Sequence, residues 1–313
     1  MRRTSPALAI LAAVSFSASA MAAPAPCKSW SEPERIGTLD GKIIAEASGI
    51  AISQKFPSRL YHNNDSGDGP NFYITDMAGG GTETVSVAGF KPTDVEDIAL
   101  GKCGRKTCLY LGDIGDNTSY RKDVTFVILA EKDHYASPET PLRIITARYP
   151  DSPHDSEGFA IHPNGDLYLI TKPMDWNQRK AGVAQVFKLS AKQLASQSTE
   201  PQTFTEVADI DLPWLLFVSG VPGQIVTALD IAPDGKRFLM LTYQTAVEAE
   251  FDLSRPLKPS HMWVPDKDYR VVTTAKQPQQ EAIAYTSDGG FIYDTESVGQ
   301  PDVPLYRQAC STR

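Results

Sequence analysis

The 313-residue sequence lacks several features that would assign it to a common class of protein. After the N-terminus, no stretch approaches the roughly 20 consecutive apolar residues that a transmembrane helix needs. No helix-period segment of useful length appears either. The 30 lysines and arginines are scattered among 38 acidic residues, so the basic stripe of a nucleic-acid-binding surface is missing. We therefore expect no nucleic-acid partner and no helical membrane domain.

Motifs for zinc binding and for a nucleophilic serine are also missing. Five histidines are present, and His62, His154 and His162 do not have the spacing of zinc ligands. There is no Gly-x-Ser-x-Gly turn of the kind that exposes a nucleophilic serine above a sheet. The sequence therefore argues against a zinc enzyme and against a serine hydrolase of that type.

The first 22 residues are typical of a secretory signal. Arg2 and Arg3 form a basic start, residues 7–14 are apolar, and Ala20-Met21-Ala22 is a small-x-small cleavage site. The apolar stretch is too short to cross a bilayer. We expect a mature chain that begins at Ala23, carries no membrane anchor, is periplasmic or secreted, and is a monomer.

Four cysteines in an exported chain indicate two disulfides. Cys103 and Cys108 flank four residues, a span that can close across a hairpin turn. Cys27 and Cys310 lie at the two ends of the mature chain. Of the three possible pairings, the spacing favours Cys103–Cys108 together with Cys27–Cys310.

Five segments repeat one pattern, in which a short strand, a turn and a second apolar strand make a β-hairpin. Three of the turns contain Asn164-Gly165, Asp234-Gly235 or Asp288-Gly289, which tolerate the backbone of tight hairpin turns. Strand-like runs between the copies can complete four-stranded blades. The pattern predicts an all-β chain with one β-propeller domain of five blades over residues 23–313.

The fifth hairpin is followed by only about one strand, so the last blade is one strand short. The segment from Glu34 to Leu39 can supply the missing strand, which closes the ring by joining the two ends of the chain. This closure also brings Cys27 next to Cys310. A six-bladed ring remains the alternative, because the long interval around residues 213–217 has room for another blade.

One polar residue leads each hairpin, where the innermost strand of a blade begins. Because the first two strands of a blade are antiparallel, the residues that lead strand one and those that follow strand two share one face. Three carboxylates at one mouth repel unless a cation or protons neutralise them, and an oxygen-only ligand set suits Ca²⁺. A ring of hydrogen-bonded side chains around water is the other interpretation. The five leading residues are Ser48, Glu96, Glu157, Thr227 and Glu281.

Further polar residues at the same face are candidates for catalysis. Lys172 either binds an anionic group of a substrate or balances the carboxylates, and His154 is either a general base or a loop residue. The glycine-containing loop of Asp113 and Asp116 either directs carboxylates inward or is an ordinary turn. The full candidate set is Asp65, Asp113, Asp116, His154, Lys172 and Glu296.

The order of the leading residues resembles the calcium-activated nucleotidases, or apyrases. Their five-bladed propellers hold a central Ca²⁺ through Ser, Glu, Glu, Ser and Glu, one from each blade, and here Thr227 stands at the fourth place. Glu46-Ala47-Ser48 also matches the Glu-x-Ser before the first ligand. Asp97 replaces the family's tryptophan, and Thr171-Lys172-Pro173 replaces its paired arginines. More diffusely, the chain is similar to exported phytase-like and lactonase-like bacterial propellers.

Two functions are therefore expected. The first is a Ca²⁺-dependent hydrolase that acts on a phosphorylated or ester substrate at the channel mouth. The second is a non-catalytic module that binds a small ligand or a protein, because a propeller fold does not by itself assign a function.

Overall fold

The computed structural model describes residues 27–175, 180–211, 225–257 and 261–311. The predicted signal segment and the stretch 213–217 lie outside these ranges. Within them the chain contains 25 strands and one four-residue helix, α1, at Ala191–Leu194. No helix in the described ranges is long and apolar enough to cross a membrane.

The strands form five blades, as the repeat predicts, and each blade is built on a four-stranded antiparallel sheet. Strands β1 (Ser29–Trp30) and β2 (Glu34–Asp40) precede the first blade. Blade 1 contains β3 (Ala47–Ile52), β4 (Leu60–Asn64), β5 (Asn71–Thr75) and β6 (Glu83–Ser86). Blade 2 contains β7 (Val95–Cys103), β8 (Lys106–Asp113), β9 (Val124–Ala130) and β10 (Arg143–Arg148).

The remaining blades follow in chain order. Blade 3 contains β11 (Ser156–Ile161), β12 (Leu167–Thr171), β15 (Ala184–Leu189) and β17 (Thr205–Ile210), with a side hairpin of β13 (Met174–Asp175) and β14 (Lys180–Ala181). Strand β16 (Gln202–Thr203) pairs in parallel with β10 of blade 2. Blade 4 contains β18 (Val226–Ile231), β19 (Phe238–Thr242), β20 (Thr245–Ala249) and β21 (Tyr269–Thr273). Blade 5 contains β22 (Gln280–Tyr285), β23 (Phe291–Thr295) and β24 (Asp302–Gln308), and β25 (Cys310–Ser311) follows it.

The innermost strands β3, β7, β11, β18 and β22 contact one another in this order, and β22 returns to β3. Apolar clusters fill the spaces between blades, as where Phe126 of blade 2 and Phe159 of blade 3 meet edge-on, with ring centroids 5.3 Å apart. Gly158 lies so close to the next inner strand that a Cβ there would collide with the backbone nitrogen of Leu229. The five inner strands therefore surround a narrow central channel.

The ring closes as predicted. Strand β2 pairs antiparallel with β24 and becomes the fourth strand of blade 5, and β1 pairs with β25 beside it. Both predicted disulfides are present: Cys27–Cys310 joins the paired ends with 5.3 Å between Cα atoms, and Cys103–Cys108 bridges the hairpin of blade 2 at 5.8 Å. One chain end is thus held to the other by backbone pairing and by a covalent bond.

Two aspartates on inner strands connect neighbouring blades. The Asp97 carboxylate accepts hydrogen bonds from the backbone N–H of Ile98 at 2.7 Å and of Phe159, in blade 3, at 2.8 Å. Asp230 in blade 4 does the same for Ile231 and for Tyr285 of blade 5. These backbone N–H groups lie at the edges of inner strands and have no hydrogen-bond partner in the sheet. Each carboxylate therefore satisfies donors that would otherwise be unpaired.

We expect Asp97→Asn to lower the free energy of unfolding by about 1–3 kcal/mol. The amide has one acceptor oxygen, so one of the two N–H groups would face an NH₂ group instead of an acceptor. Urea unfolding followed by fluorescence measures the change, and Asp302→Asn at an exposed position is the control. Equal stability of the two variants would show that Asp97 does not connect the blades energetically.

Candidate functional site

Each of the five leading residues lies at a β-bulge. The register between the first and second strand of every blade shifts at that residue, as at Ser48 in blade 1 and Glu96 in blade 2. A bulge redirects a side chain from the sheet face. All five residues are buried, with at most 2% of their surface exposed. The repeat thus produces five equivalent polar positions at one mouth of the channel.

The two hydroxyl groups at these positions hydrogen-bond to the next blade. Ser48 Oγ donates to the backbone oxygen of Glu96 at 2.5 Å, and Thr227 Oγ1 donates to the backbone oxygen of Gln280 at 2.8 Å. This is the hydrogen-bonded arrangement that the sequence left open as the alternative to a metal site. It leaves lone pairs on both oxygens, so it is compatible with a metal ion.

Seven carboxyl groups gather at this mouth, and we call them the acidic cluster. Three belong to leading residues, two stand just before the inner strands, and two follow second strands. Their charges act on one another across blades 1, 2, 3 and 5. The cluster comprises Asp65, Asp94, Glu96, Asp155, Glu157, Glu281 and Glu296.

Asp65 is the centre of the acidic cluster. Its carboxylate is within 4.8 Å of ligand atoms of Glu281 and Glu296 on one side and of Asp94 and Glu96 on the other. Carboxylate oxygens are the ligands that a hard divalent cation prefers, and here they come from blades 1, 2 and 5. Asp65 was one of six catalytic candidates from the sequence, and the structure gives it this central position.

Glu281 provides a test of whether this region suits a cation. Its Oε1 accepts a hydrogen bond at 3.0 Å from Gln279 Nε2, which also donates to Glu296. Its Oε2 is buried and makes no hydrogen bond of normal geometry within the described residues, although the Glu296 carboxyl and the Tyr243 hydroxyl interact with the Glu281 side chain. A buried oxygen without a well-formed hydrogen bond is costly unless a cation, a proton or water meets it. The carboxylates around Asp65 therefore fit a divalent cation.

Lys172 occupies the blade 3 side of the mouth. It follows β12, is 5% exposed, and its Nζ contacts Oε1 of Glu157. Burial opposes its charge, but the neighbouring carboxylates and Tyr243 outweigh that effect, so the pKa of Lys172 is raised. The lysine is therefore a buried cation paired with one of the five leading residues.

A second cation, Arg121, fixes the loop of Asp113 and Asp116. Its Nη2 lies 2.9 Å from Asp113 Oδ1, and its backbone N–H donates to Asp116 Oδ2 at 2.6 Å. Asp113 Oδ1 also accepts the backbone N–H of Asp94 at 2.8 Å. Gly115 in this loop gives Glu96 its space, because a Cβ there would collide with Glu96 Oε1. The two aspartates support the acidic cluster from outside.

The partners of His154 lie outside the acidic cluster. Its Nε2 lies 3.0 Å from a carboxylate oxygen of Asp151, and its ring packs against Tyr149 and Phe187. The sequence left open whether His154 is a general base or a loop residue. Its position favours the loop residue.

Two residues that hold the site together, Asp94 and Asp155, were not among the sequence candidates. Each stands two positions before a leading glutamate, as Glu46 stands before Ser48. Asp155 Oδ1 accepts the backbone N–H of Asp116 at 2.8 Å. A recurrent acidic residue at this position in blades 1, 2 and 3 was the signal that could have identified them.

Burial dominates the electrostatics of the acidic cluster. It raises the pKa of Glu96 and of Glu281 well above the usual range, and the neighbouring carboxylates raise both further. Burial and the nearby Asp65 raise the pKa of Asp94 to about 7. Burial raises that of Glu157 to about 8, although Lys172 opposes the shift. The cluster therefore holds protons near neutral pH unless another cation replaces them.

The opposite end of the channel has a different lining. A cavity of about 240 Å³ lies there between the far halves of the five inner strands, and apolar side chains such as Ile52, Leu100 and Ile161 line most of it. No member of the acidic cluster is among the described residues that line this cavity. The acidic cluster is thus confined to one mouth of the channel.

No family model and no curated protein matches the chain. Among solved structures, an oxidoreductase (glucose dehydrogenase) from Thermus thermophilus has a TM-score of 0.48 and 12% identity, over 88% of this chain and 99% of that one. A chain of a nidogen/laminin complex has a TM-score of 0.45 and 13% identity, over 80% of this chain and 73% of that one. These values carry no argument about function, and the fold stands on the strand pairing described above.

Proposed function

We propose that this protein binds a divalent cation, Ca²⁺ by its ligand chemistry, at the acidic cluster and hydrolyses an anionic phosphorylated or ester substrate there. The observation that carries the proposal is the convergence of carboxylates on Asp65, with a buried Glu281 oxygen that makes no hydrogen bond of normal geometry among the described residues. The two disulfides and the signal-like N-terminus suit an exported protein, which meets Ca²⁺ outside the cytoplasm.

The ligand set that we propose differs from the ring of five leading residues and shares only Glu96 and Glu281 with it. Glu96 and Glu281 join Asp65, whereas Glu157 contacts Lys172. Asp94 and Glu296 add further oxygens at the same place. The bound ion would be a Lewis acid that polarises a phosphoryl or carbonyl oxygen.

The chain itself would supply proton transfer and orientation. Glu296 is only half-buried, so a carboxylate oxygen of this residue that the ion does not engage can accept a proton from an attacking water. The water oxygen then bonds to phosphorus or to the acyl carbon, the bond to the leaving oxygen breaks, and that oxygen takes up the proton. Arg121, through Asp113, holds Asp94 in place during these steps.

Turnover in a substrate screen tests the catalytic half of this proposal. Metal-stripped mature protein is assayed against nucleotides, phosphate esters and lactones, with Ca²⁺ and with chelator, beside Asp65→Asn. We expect one substrate class to be hydrolysed only with Ca²⁺ and only by the unsubstituted protein. Ca²⁺ binding without any turnover would instead support the non-catalytic binding module. That alternative has one observation in its favour, since Asp113, Asp116 and His154 are already engaged by other residues.

The raised pKa values also predict how stability depends on pH. A carboxyl group whose pKa is higher in the folded than in the unfolded protein contributes stability that is complete below its unfolded value near 4. That contribution is lost as pH rises through the folded value of about 7 for Asp94. In chelator we expect the melting temperature to fall by at least about 5 °C between pH 5 and pH 8.5.

Saturating Ca²⁺ should remove most of this fall, because a bound cation stabilises the ionised carboxylates, and the Ca²⁺ affinity should rise with pH. Differential scanning calorimetry in chelator and in Ca²⁺ measures both effects. A chelated protein that is as stable at pH 8.5 as at pH 5 would contradict the electrostatic account of the cluster.

A further inference from the structure

Lys172 reaches the acidic cluster from the strand end of blade 3, and its surroundings are those of a bound cation. Its Nζ contacts Glu157, and Asp155, Glu96 and the Tyr243 hydroxyl act on its charge. Its backbone N–H donates to the backbone oxygen of Asp155 at 2.8 Å, which fixes the start of the side chain. Arg121, by contrast, contacts the outer side of the cluster through Asp113 and the backbone oxygen of Gly115.

Glu157 is the blade 3 counterpart of Glu96 and Glu281, since each lies at the same bulge of its inner strand. A buried carboxylate at such a position needs a partner of opposite charge. Glu96 and Glu281 share the region around Asp65, where no lysine or arginine forms an ion pair among the residues that the structure describes. Glu157 alone of the three has a lysine against it.

We infer that Lys172 is a tethered counter-ion that takes the place of a metal ion at Glu157, so that divalent cations bind only on the Asp65 side of the mouth. The second observation is on that side, where the buried Glu281 Oε2 makes no hydrogen bond of normal geometry within the described ranges. The inference rests on the proposed divalent-cation site, and it defines where divalent cations bind and how many of them the protein holds.

This division explains why the Glu157 side of the mouth differs from the Asp65 side. A lysine on a flexible stem supplies a single positive charge at a fixed place, whereas a divalent ion needs several oxygens around it. Removing the ammonium group would leave Glu157 and Glu96 as two buried carboxylates that raise each other's energy, without the lysine charge that now contacts Glu157. That arrangement would create a further position for a divalent ion.

Ca²⁺ titration of four proteins tests the inference: the unsubstituted chain, Lys172→Met, Glu157→Gln/Lys172→Met, and Lys172→Arg as the charge-preserving control. Isothermal titration calorimetry gives affinity, and equilibrium dialysis with metal analysis gives the number of ions per chain. We expect Lys172→Met to bind one ion more than the unsubstituted chain. The double variant, which removes both charges of the pair, should return to the original number, with affinity within about threefold. Lys172→Arg should match the unsubstituted chain.

Two results would overturn the inference. One is an unchanged number of ions in Lys172→Met. The other is a loss of affinity of tenfold or more in the double variant, which would make Glu157 a metal ligand. If Lys172→Met does not fold, the double variant decides alone, because it buries no unpaired charge. If the unsubstituted chain binds no Ca²⁺, the proposed function fails. In that case an ion bound by Lys172→Met alone would still show that the lysine stands in for a metal.

Discussion

Asp65→Asn is expected to lower the affinity for Ca²⁺ by at least about a hundredfold. Among the residues that the structure describes, Asp65 alone belongs to both groups of ligand atoms, so its carboxylate contributes to both positions at which a cation can bind there. The substitution keeps the size of the side chain and removes its charge. Calorimetric titration of metal-stripped protein at pH 8 measures the change, with Tb³⁺ luminescence as an independent probe of the same site.

Asp302→Asn is the matched control, since it makes the same change of charge at an exposed residue of blade 5. Its affinity should stay within about twofold of that of the unsubstituted chain. The stabilisation of the folded state by Ca²⁺ should follow the affinity. It should reach about 2.7 kcal/mol at a hundredfold excess over the Kd of the unsubstituted chain, and about 0.4 kcal/mol or less in Asp65→Asn at the same Ca²⁺ concentration. Equal Ca²⁺ affinities in both variants would show that the ion, if bound, lies elsewhere.

The second large effect concerns closure of the ring. Replacing Cys27 and Cys310 by serine should lower the free energy of unfolding by about 5 kcal/mol, because this disulfide links residues 283 apart and removes much of the freedom of the unfolded chain. For a domain of this size the melting temperature should fall by about 10 °C or more. Thermal unfolding followed by circular dichroism measures it.

The Cys103–Cys108 bridge provides the comparison within the same molecule. It links residues only five apart in sequence, so the same argument gives about 2 kcal/mol for its removal. Strand β2 pairs with β24 in blade 5, so we expect both serine variants to keep the propeller at low temperature. We attribute the larger effect of the Cys27–Cys310 disulfide to closure of the whole chain. A larger loss of stability in the Cys103/Cys108 variant than in the Cys27/Cys310 variant would contradict this explanation.

The fold was predictable because its signals are local and repeated. Alternating apolar strands and turns such as Asn164-Gly165 identify each hairpin, and the count of strands after the fifth hairpin shows that one must come from Glu34 to Leu39. The disulfide pairing follows from the same closure. Each inference uses residues near one another in sequence, or a chain end that has only one place to pair.

The site was predictable only in part. The repeat locates Glu96 and Glu281 at one mouth. The contact between Lys172 and Glu157, however, depends on the orientation of two long side chains from different strands, and the spacing of residues in the sequence does not determine that orientation. The sequence also did not show that Asp97 accepts a hydrogen bond from a neighbouring blade. That hydrogen bond joins residues 62 apart in the chain, and no local pattern records such a contact.

The most direct test of the divalent-cation site is an anomalous difference map from crystals grown with Ca²⁺. We expect a peak bound by Asp65 together with Glu281 and Glu296 or with Asp94 and Glu96, with oxygen distances of about 2.3–2.6 Å, and with Lys172 still against Glu157. No peak near Asp65 in crystals at saturating Ca²⁺, or a peak coordinated by Glu157 with Lys172 displaced, would contradict the account.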